Sequence, residues 1–182
     1  PGEPPELCNL SHREELIEIH RSYLRAGADF LKTNTFGANR FKLKGSGHTV
    51  EEVVSAGVKN ALQAVEDWGK GTVFLDIGPT GKLLRPLGEL DFEDAVSAFA
   101  EMVRAGAAAG AEVVLIETMS DPYDAKAVLL VAKENADMSV VVSMTFDEDG
   151  KLSSRGELGV AAAVMDVPGA AAEGPYCGPC HQ

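Results

Sequence analysis

The chain contains no apolar run near the roughly 20 residues that cross a bilayer. Its opening Pro1-Gly2-Glu3-Pro4-Pro5 has neither the basic nor the apolar region of a signal peptide. A helical span and a secretory leader are therefore not expected, and a reducing cytoplasm is the expected compartment. Cysteine is scarce: Cys8, Cys177 and Cys180 are too few for a disulfide scaffold. Positive charge is in deficit, with 16 Lys and Arg against 28 Asp and Glu and a formal net charge of -12. That balance opposes binding to nucleic acid or to an anionic membrane. Aromatics are few, at 6%, but the apolar fraction of 45% is that of a globular chain. Its 182 residues suffice for one domain with a core. The chain begins without Met and reads as processed, trimmed or a fragment.

What is present starts with Val113-Val114-Leu115-Ile116-Glu117-Thr118, an apolar run closed by a carboxylate and followed by the helix-opening pair Asp121-Pro122. A buried parallel strand reads as a continuous apolar run, and α/β folds place their ligands at strand carboxyl ends. Glu117 is thus either a ligand-facing carboxylate or a strand-end residue that meets solvent.

Ser11-His12-Arg13-Glu14 reads as a capping box. Leu16, Ile19 and Tyr23 follow at helical spacing, and Gly27 ends that helix in the left-handed conformation. Ala28 to Thr33 is expected as a strand and Asn34-Thr35-Phe36-Gly37-Ala38-Asn39 as a polar loop. Thr49-Val50-Glu51-Glu52 is a second capping box, ahead of a stripe of Val50, Val53, Val54, Gly57, Val58, Ala61, Leu62 and Val65 that core packing explains. Thr72 to Ile77 is the next strand, then the loop Gly78-Pro79-Thr80-Gly81. Asp91 caps a third helix bearing Phe92, Ala95, Val96, Phe99, Met102 and Val103. Glu112 to Thr118 is the third strand. Asp121 caps a fourth helix with Pro122 in its first turn, and Ser139 to Phe146 is the fourth strand. Helix and strand thus alternate four times, which implies a parallel sheet with right-handed crossovers. An eight-unit barrel needs about 250 residues, so this chain is too short to close one. From about Ser153 the pattern is lost, and 153–182 is expected to be irregular with no further apolar strand.

Two strand-end loops concentrate polarity. The Asn and Thr groups of 34–39 suit an amino-acid backbone, or serve ordinary turn chemistry. The glycines of Asp76-Ile77-Gly78-Pro79-Thr80-Gly81 would let backbone N–H groups approach a carboxylate or phosphate, or form a plain tight turn. The segment lacks the spacing of a P-loop. Cys177-Gly178-Pro179-Cys180-His181 mimics a redox motif, a haem-attachment motif or a lone zinc site. Too little chain follows it for the helix that redox use requires. Cys8 is expected as a free thiol, His12, His20 and His48 as surface or cap-adjacent groups, and Trp68 as a packing anchor.

In chain order, Pro5-Glu6-Leu7-Cys8-Asn9-Leu10, Gly27-Ala28-Asp29, Thr33-Asn34-Thr35-Phe36-Gly37-Ala38-Asn39, Ile77-Gly78-Pro79-Thr80-Gly81, Ile116-Glu117-Thr118-Met119 and Ser143-Met144-Thr145-Phe146 form a series. The series resembles the homocysteine S-methyltransferase domain, most nearly the homocysteine-binding module of the cobalamin-dependent methionine synthases. The resemblance covers about residues 5–152. It implies a partial TIM (β/α)8 barrel of about four βα units, with the first strand and the C-terminal strands missing. It implies methyl transfer to the homocysteine thiolate, giving methionine. It also implies a zinc ion that holds the sulfur, and methylcobalamin as methyl donor. The implied partners are homocysteine and the cobalamin and methyltetrahydrofolate domains of a larger enzyme. By resemblance Glu117 holds the substrate ammonium through a charge-assisted bond. Asn34, Thr35 and Asp76 are assigned to the substrate site by their strand-end positions.

The departures are equally specific. The family's first strand carries an Asp-Gly pair that does not precede Pro1. The family's zinc ligands are one Cys in an Asn-Cys-x-x-Gly-Pro-like loop and an adjacent Cys-Cys pair. Here no Cys-Cys pair exists, and Cys177 has Gly178-Pro179 after it but Tyr176 before it. A partial barrel domain over 1–152 followed by a tail foreign to the family, as a shifted reading frame would produce, is therefore expected. Such a chain is expected to be inactive alone, with open sheet edges that aggregate or seek a partner. The competing readings are a non-catalytic α/β fragment that acts at most as a binding module, and a different barrel enzyme that binds phosphate at Gly78 to Gly81.

Overall fold

A computed structural model describes residues 3–135 and 138–145, and the backbone of 170–176. After a 3-10 turn at Pro5–Leu7, the order is α1 (Cys8–Ser11), α2 (Arg13–Arg25), β1 (Phe30–Lys32), α3 (Val50–Trp68), β2 (Thr72–Ile77), α4 (Phe92–Ala109), β3 (Val113–Met119), α5 (Pro122–Asn135), β4 (Ser139–Thr145) and β5 (Ala170–Tyr176). The described strands form one sheet in the order β1-β2-β3-β4-β5, every pair parallel. Spatial order follows chain order without reversal. With right-handed crossovers, every helix then lies on the same face, and the sheet curls as an arc of a barrel rather than a doubly wound sheet.

The helix-facing side is the core. Leu75, Ile77, Val114 and Ile116 from the strands meet Val53, Val54, Val58, Phe99, Met102 and Val103 from the helices. The second capping box is present: Glu52 N–H donates to Thr49 Oγ1 at 3.2 Å, and Thr49 N–H to Glu52 Oε2 at 2.9 Å. Gly57 belongs to the stripe for a further reason. A Cβ there would come within 2.7 Å of both Asn9 Nδ2 and Thr35 Cγ2.

Several expectations are corrected. Ser11 does not open α2. Its hydroxyl donates to Leu7 O at 3.2 Å and closes α1, and His12, whose Nδ1 lies 2.8 Å from that hydroxyl, takes the N-cap position without a side-chain capping bond. The buried face of α2 is Ile17, His20 and Leu24, while Ile19 and Tyr23 are exposed. Helical periodicity alone fits either stripe, and packing against Leu31 and Ala64 selects Ile17 and Leu24. His20 is therefore buried, not superficial, and burial pushes its pKa down. Trp68 is exposed rather than an anchor. Asp91 stands at the N-cap of α4, but its carboxylate pairs with Arg85 at 3.1 Å instead of capping. Finally, residues 170–176 were expected to be irregular and instead form a strand beside β4. Ladder bonds need backbone groups rather than an apolar pattern, and β5 is the outermost described strand, where Pro175 is tolerated. The remaining tail residues, 153–169 and 177–182, lie outside the described residues.

Candidate functional site

Strand alternation sorts side chains into two sets. In β2, Val73, Leu75 and Ile77 are buried toward the helices, so Thr72, Phe74 and Asp76 face the concave side. Parallel partners point the same way. The register Phe30↔Thr72 and Lys32↔Phe74 puts Phe30 and Lys32 on that side, and Asp76↔Leu115 brings β3 into line. The Phe30 and Phe74 rings stack at 4.7 Å. One step further toward the strand carboxyl ends, Lys32 Nζ lies 2.7 Å from Glu117 Oε1 and 3.8 Å from Asp76 Oδ2.

The two carboxylates are held differently. Asp76 is buried, and its Oδ1 has no hydrogen-bond partner. Burial and the nearby Glu117 charge push its pKa up to about 8, against the opposing pull of Lys32. Asp76 is therefore the carboxyl driven toward its neutral form, beside the Lys32–Glu117 ion pair. Glu117 sits in an irregular stretch where the β3–β4 register shifts between Ile116 and Met119. The next residue, Thr118, has φ +60. A β-branched residue is rarely found there, and such backbone strain, of about 1–3 kcal/mol, concentrates where structure must aim a functional group.

Behind this group lies a lattice of neutral side chains. Thr35 Oγ1 donates to Asp76 O at 2.7 Å, and Asp76 N–H donates to Thr33 Oγ1 at 3.0 Å. The one hydroxyl proton of Thr35 is thereby engaged, so in the 2.6 Å contact between the hydroxyls Thr33 donates and Thr35 accepts. Asn9 Nδ2 donates to Asn34 O at 2.7 Å and to Val53 O at 3.2 Å, and Asn34 Nδ2 donates to Pro5 O at 2.9 Å. Asn60 Nδ2 donates to Asn9 O at 3.0 Å. Asn39 Oδ1 accepts from the N–H groups of Phe41 and Lys42, ordinary turn chemistry.

The four residues singled out from the sequence are thus placed unequally. Asp76 and Glu117 meet around one ammonium. Asn34 and Asp76 line a cavity of about 670 Å³ beside β1, together with Ile19, Tyr23 and Phe30, and Lys32 joins that cavity to Glu117. Thr35 is fully buried with its hydroxyl engaged. In the Gly78–Gly81 loop, the Gly78 N–H donates to Phe36 O at 3.0 Å, and a Cβ on Gly78 would strike the Phe36 ring at 2.4 Å. The sequence reading missed Lys32. Its signal was a cation two residues beyond Phe30, at the end of an otherwise apolar strand. It also missed a second polar group: Lys42 lies 5.0 Å above the Phe36 ring, its pKa pushed down by burial. Asp124 is buried near Lys42 and pushed up to about 7 by desolvation and the Asp121 charge.

Among the described residues no cluster of three or more His, Cys, Asp or Glu side chains is arranged to hold a metal ion. Cys8 is partly buried and free, while Cys177, Cys180 and His181 lie outside the described residues. The described arc therefore does not fit the zinc that the resemblance implies. No helix among the described residues is long and apolar enough to cross a membrane.

The chain is 28% identical over 175 residues to a methionine synthase of Mycobacterium leprae and 27% identical to that of Mycobacterium tuberculosis. In each case 90% of the chain is matched, but it spans only 14–15% of those proteins. Among solved structures, the metallated form of the homocysteine methyltransferase MmuM from Escherichia coli superposes with a TM-score of 0.82 at 21% identity, covering 92% of this chain and 64% of that one. The oxidized form gives 0.83, covering 96% and 67%. These likenesses identify the fold as part of a (β/α)8 barrel. The homocysteine S-methyltransferase model matches residues 4–180, well past Leu152 and including β5. On that match, the chain belongs to the homocysteine S-methyltransferase family.

Proposed function

We propose that this chain supplies the amino-acid grip of a homocysteine S-methyltransferase: Glu117 receives the substrate ammonium, with Asp76 beside it. The observation that carries this reading is the ammonium already seated there, Lys32 Nζ at 2.7 Å from Glu117 Oε1 and 3.8 Å from Asp76 Oδ2. A site that accommodates one alkylammonium between two carboxyl groups has the polarity and size for another. The strained Thr118 supports a positioning role for Glu117. Asn34 and Thr35 serve the same site from behind, one at the cavity wall and one through the Asp76 backbone.

In the parent reaction the homocysteine thiol loses its proton, a sulfur–methyl bond forms and the donor–methyl bond breaks. This arc holds the amino-acid end of that substrate, and no step at sulfur is assigned to it. The methyl donor belongs to the rest of a larger protein. On the resemblance set out above it is methylcobalamin, carried by another domain. The reading of the chain as a binding module is in this sense part of the same proposal.

The test is calorimetric titration of the chain with L-homocysteine. Glu117→Gln should weaken binding about thirty- to hundredfold, the consequence of losing one partner of a charge-assisted pair. An unchanged melting temperature would show that the variant folds. Equal affinity in the variant and the unmodified chain would sink the assignment of Glu117.

A further inference from the structure

The geometry points to Lys32 as an internal occupant of the ammonium site: its amine takes the place on Glu117 that a substrate amine must take, so an amino acid binds only by displacing it. The inference rests on the assignment of Glu117 to the substrate ammonium and adds a residue that competes for it.

Three observations separate this role from that of an ordinary ion pair. First, the pair is unequal in burial. The Glu117 side chain is 14% exposed and that of Asp76 6%, whereas Lys32 is 46% exposed. The carboxyl groups are fixed in the wall, while the amine reaches them on a flexible stem from the solvent side. The amine itself regains water when it withdraws, and the cost of baring Glu117 is avoided when another ammonium takes its place. Second, the strand register does not need the pair. Lys32 is already tied to the sheet by its ladder position opposite Phe74, and the Thr33 and Thr35 hydroxyls clamp Asp76. Third, the carboxyl side remains incompletely satisfied. Asp76 Oδ1 is buried and has no partner, and the amine of Lys32 approaches the other oxygen, Oδ2, only to 3.8 Å, so an amine seated closer would find an acceptor still open. Glu117 Oε1 is already taken by the lysine at 2.7 Å, and two ammonium groups crowded onto one carboxylate would repel, so an incoming amine meets Lys32 as a rival.

Displacement and cooperation make opposite forecasts. Were Lys32 instead to hold the substrate carboxylate, its removal would weaken binding and the bound ligand would shield it. As an occupant, its removal strengthens binding and the ligand drives it into solvent. Calorimetry with L-homocysteine on the full chain, Lys32→Met and Lys32→Arg reads the first forecast. Lys32→Met should bind about three- to tenfold more tightly, the worth of one partly exposed ion pair, and Lys32→Arg should stay near the unmodified chain. γ-Mercaptobutyrate, which lacks the amine, should gain no such advantage from Lys32→Met. The second forecast is read on the unmodified chain by brief acetylation and peptide mass spectrometry. Saturating L-homocysteine should raise the acetylation rate of Lys32 several-fold relative to the other lysines. Weaker binding by Lys32→Met, unchanged binding, or protection of Lys32 would each overturn the inference. Where one of those results occurs and Glu117→Gln still weakens binding, the ammonium reading stands while the inference falls. If Glu117→Gln binds normally, or if neither the unmodified chain nor Lys32→Met releases heat, the underlying reading fails and the inference with it.

Discussion

Two polar regions lie back to back at the same end of the sheet, and they are built on opposite rules. The lattice of Asn9, Asn34, Asn60, Thr33 and Thr35 is neutral, and each of these side chains makes at least one hydrogen bond to backbone or to another member. The concave group of Lys32, Asp76 and Glu117 is charged. It leaves Asp76 Oδ1 without a partner and follows Glu117 with a residue at positive φ. A satisfied network rigidifies its surroundings, and an unsatisfied one costs stability unless something binds to it. The contrast separates polar residues that hold the rim in shape from those to which the proposed function assigns a ligand. Substitutions in the two regions should therefore separate stability from binding.

The largest separation is expected at Asp76. Its carboxyl keeps its proton in the folded chain up to about pH 8, while the unfolded chain releases it near the ordinary value of 3.8. Between those values the folded state binds one more proton, so stability falls as pH rises through that window and is flat above it. Lys32, Glu117 and Glu6 are the charged groups that face it. Asp76→Asn removes the titration while keeping the shape. The variant should match the parent near pH 4 and exceed it by ~3–5 kcal/mol near pH 9, from a shift of about four units at 1.36 kcal/mol each, less local relaxation. Urea unfolding at several pH values reads the difference. A difference that does not grow with pH would show that Asp76 is ionised in its folded setting and would erase the contrast between the regions.

Asn9→Ala attacks the other region. It leaves the carbonyl of Asn34 without this donor, removes a second bond to Val53 O, which lies within the α3 ladder, and removes an acceptor that takes a 3.2 Å bond from Asn34 Nδ2. A buried group left unpaired costs about 1–3 kcal/mol, so a loss of about 1–3 kcal/mol is expected in denaturant unfolding. Homocysteine affinity, measured well below the new melting temperature, should change less than threefold. A variant with parental stability and lost binding would reverse the two assignments.

How far the sequence revealed these regions follows from the range of the interactions. Asp76 and Glu117 were legible because each ends a nearly apolar strand, and strand ends are where an α/β fold gathers ligands. Thr49 with Glu52 was legible because a capping box is complete within four residues. Asn9 was not, because its partners Asn34 and Val53 lie 25 and 44 positions away and only the fold brings them together. Lys32 was hidden for a related reason: its meeting with Glu117, 85 positions on, depends on the register of three strands. The wrong face of α2 was chosen because Leu16, Ile19 and Tyr23 repeat as regularly as Ile17, His20 and Leu24, and the former line the cavity beside β1. Strand β5 escaped because an Ala, Gly and Pro composition carries no β pattern, although its backbone pairs with β4 from Val140 to Thr145.

The finest test of the comparison is Thr118→Gly. Glycine reaches φ +60 without the steric cost borne by a β-branched residue, which favours the folded state. It also enlarges the unfolded ensemble, at about 0.4–1 kcal/mol. The strain relieved is the larger quantity, so a net gain of about 1 kcal/mol is expected in unfolding. If the irregular stretch exists to aim Glu117, the looser backbone should at the same time weaken homocysteine binding about two- to threefold, through the cost of fixing Glu117 anew. Gain in one measurement with loss in the other is the mark of strain retained for positioning. Should the variant gain stability and bind equally well, the conformation of Thr118 would be a property of the strand end alone. The aim of Glu117 would then rest on its contact with Lys32.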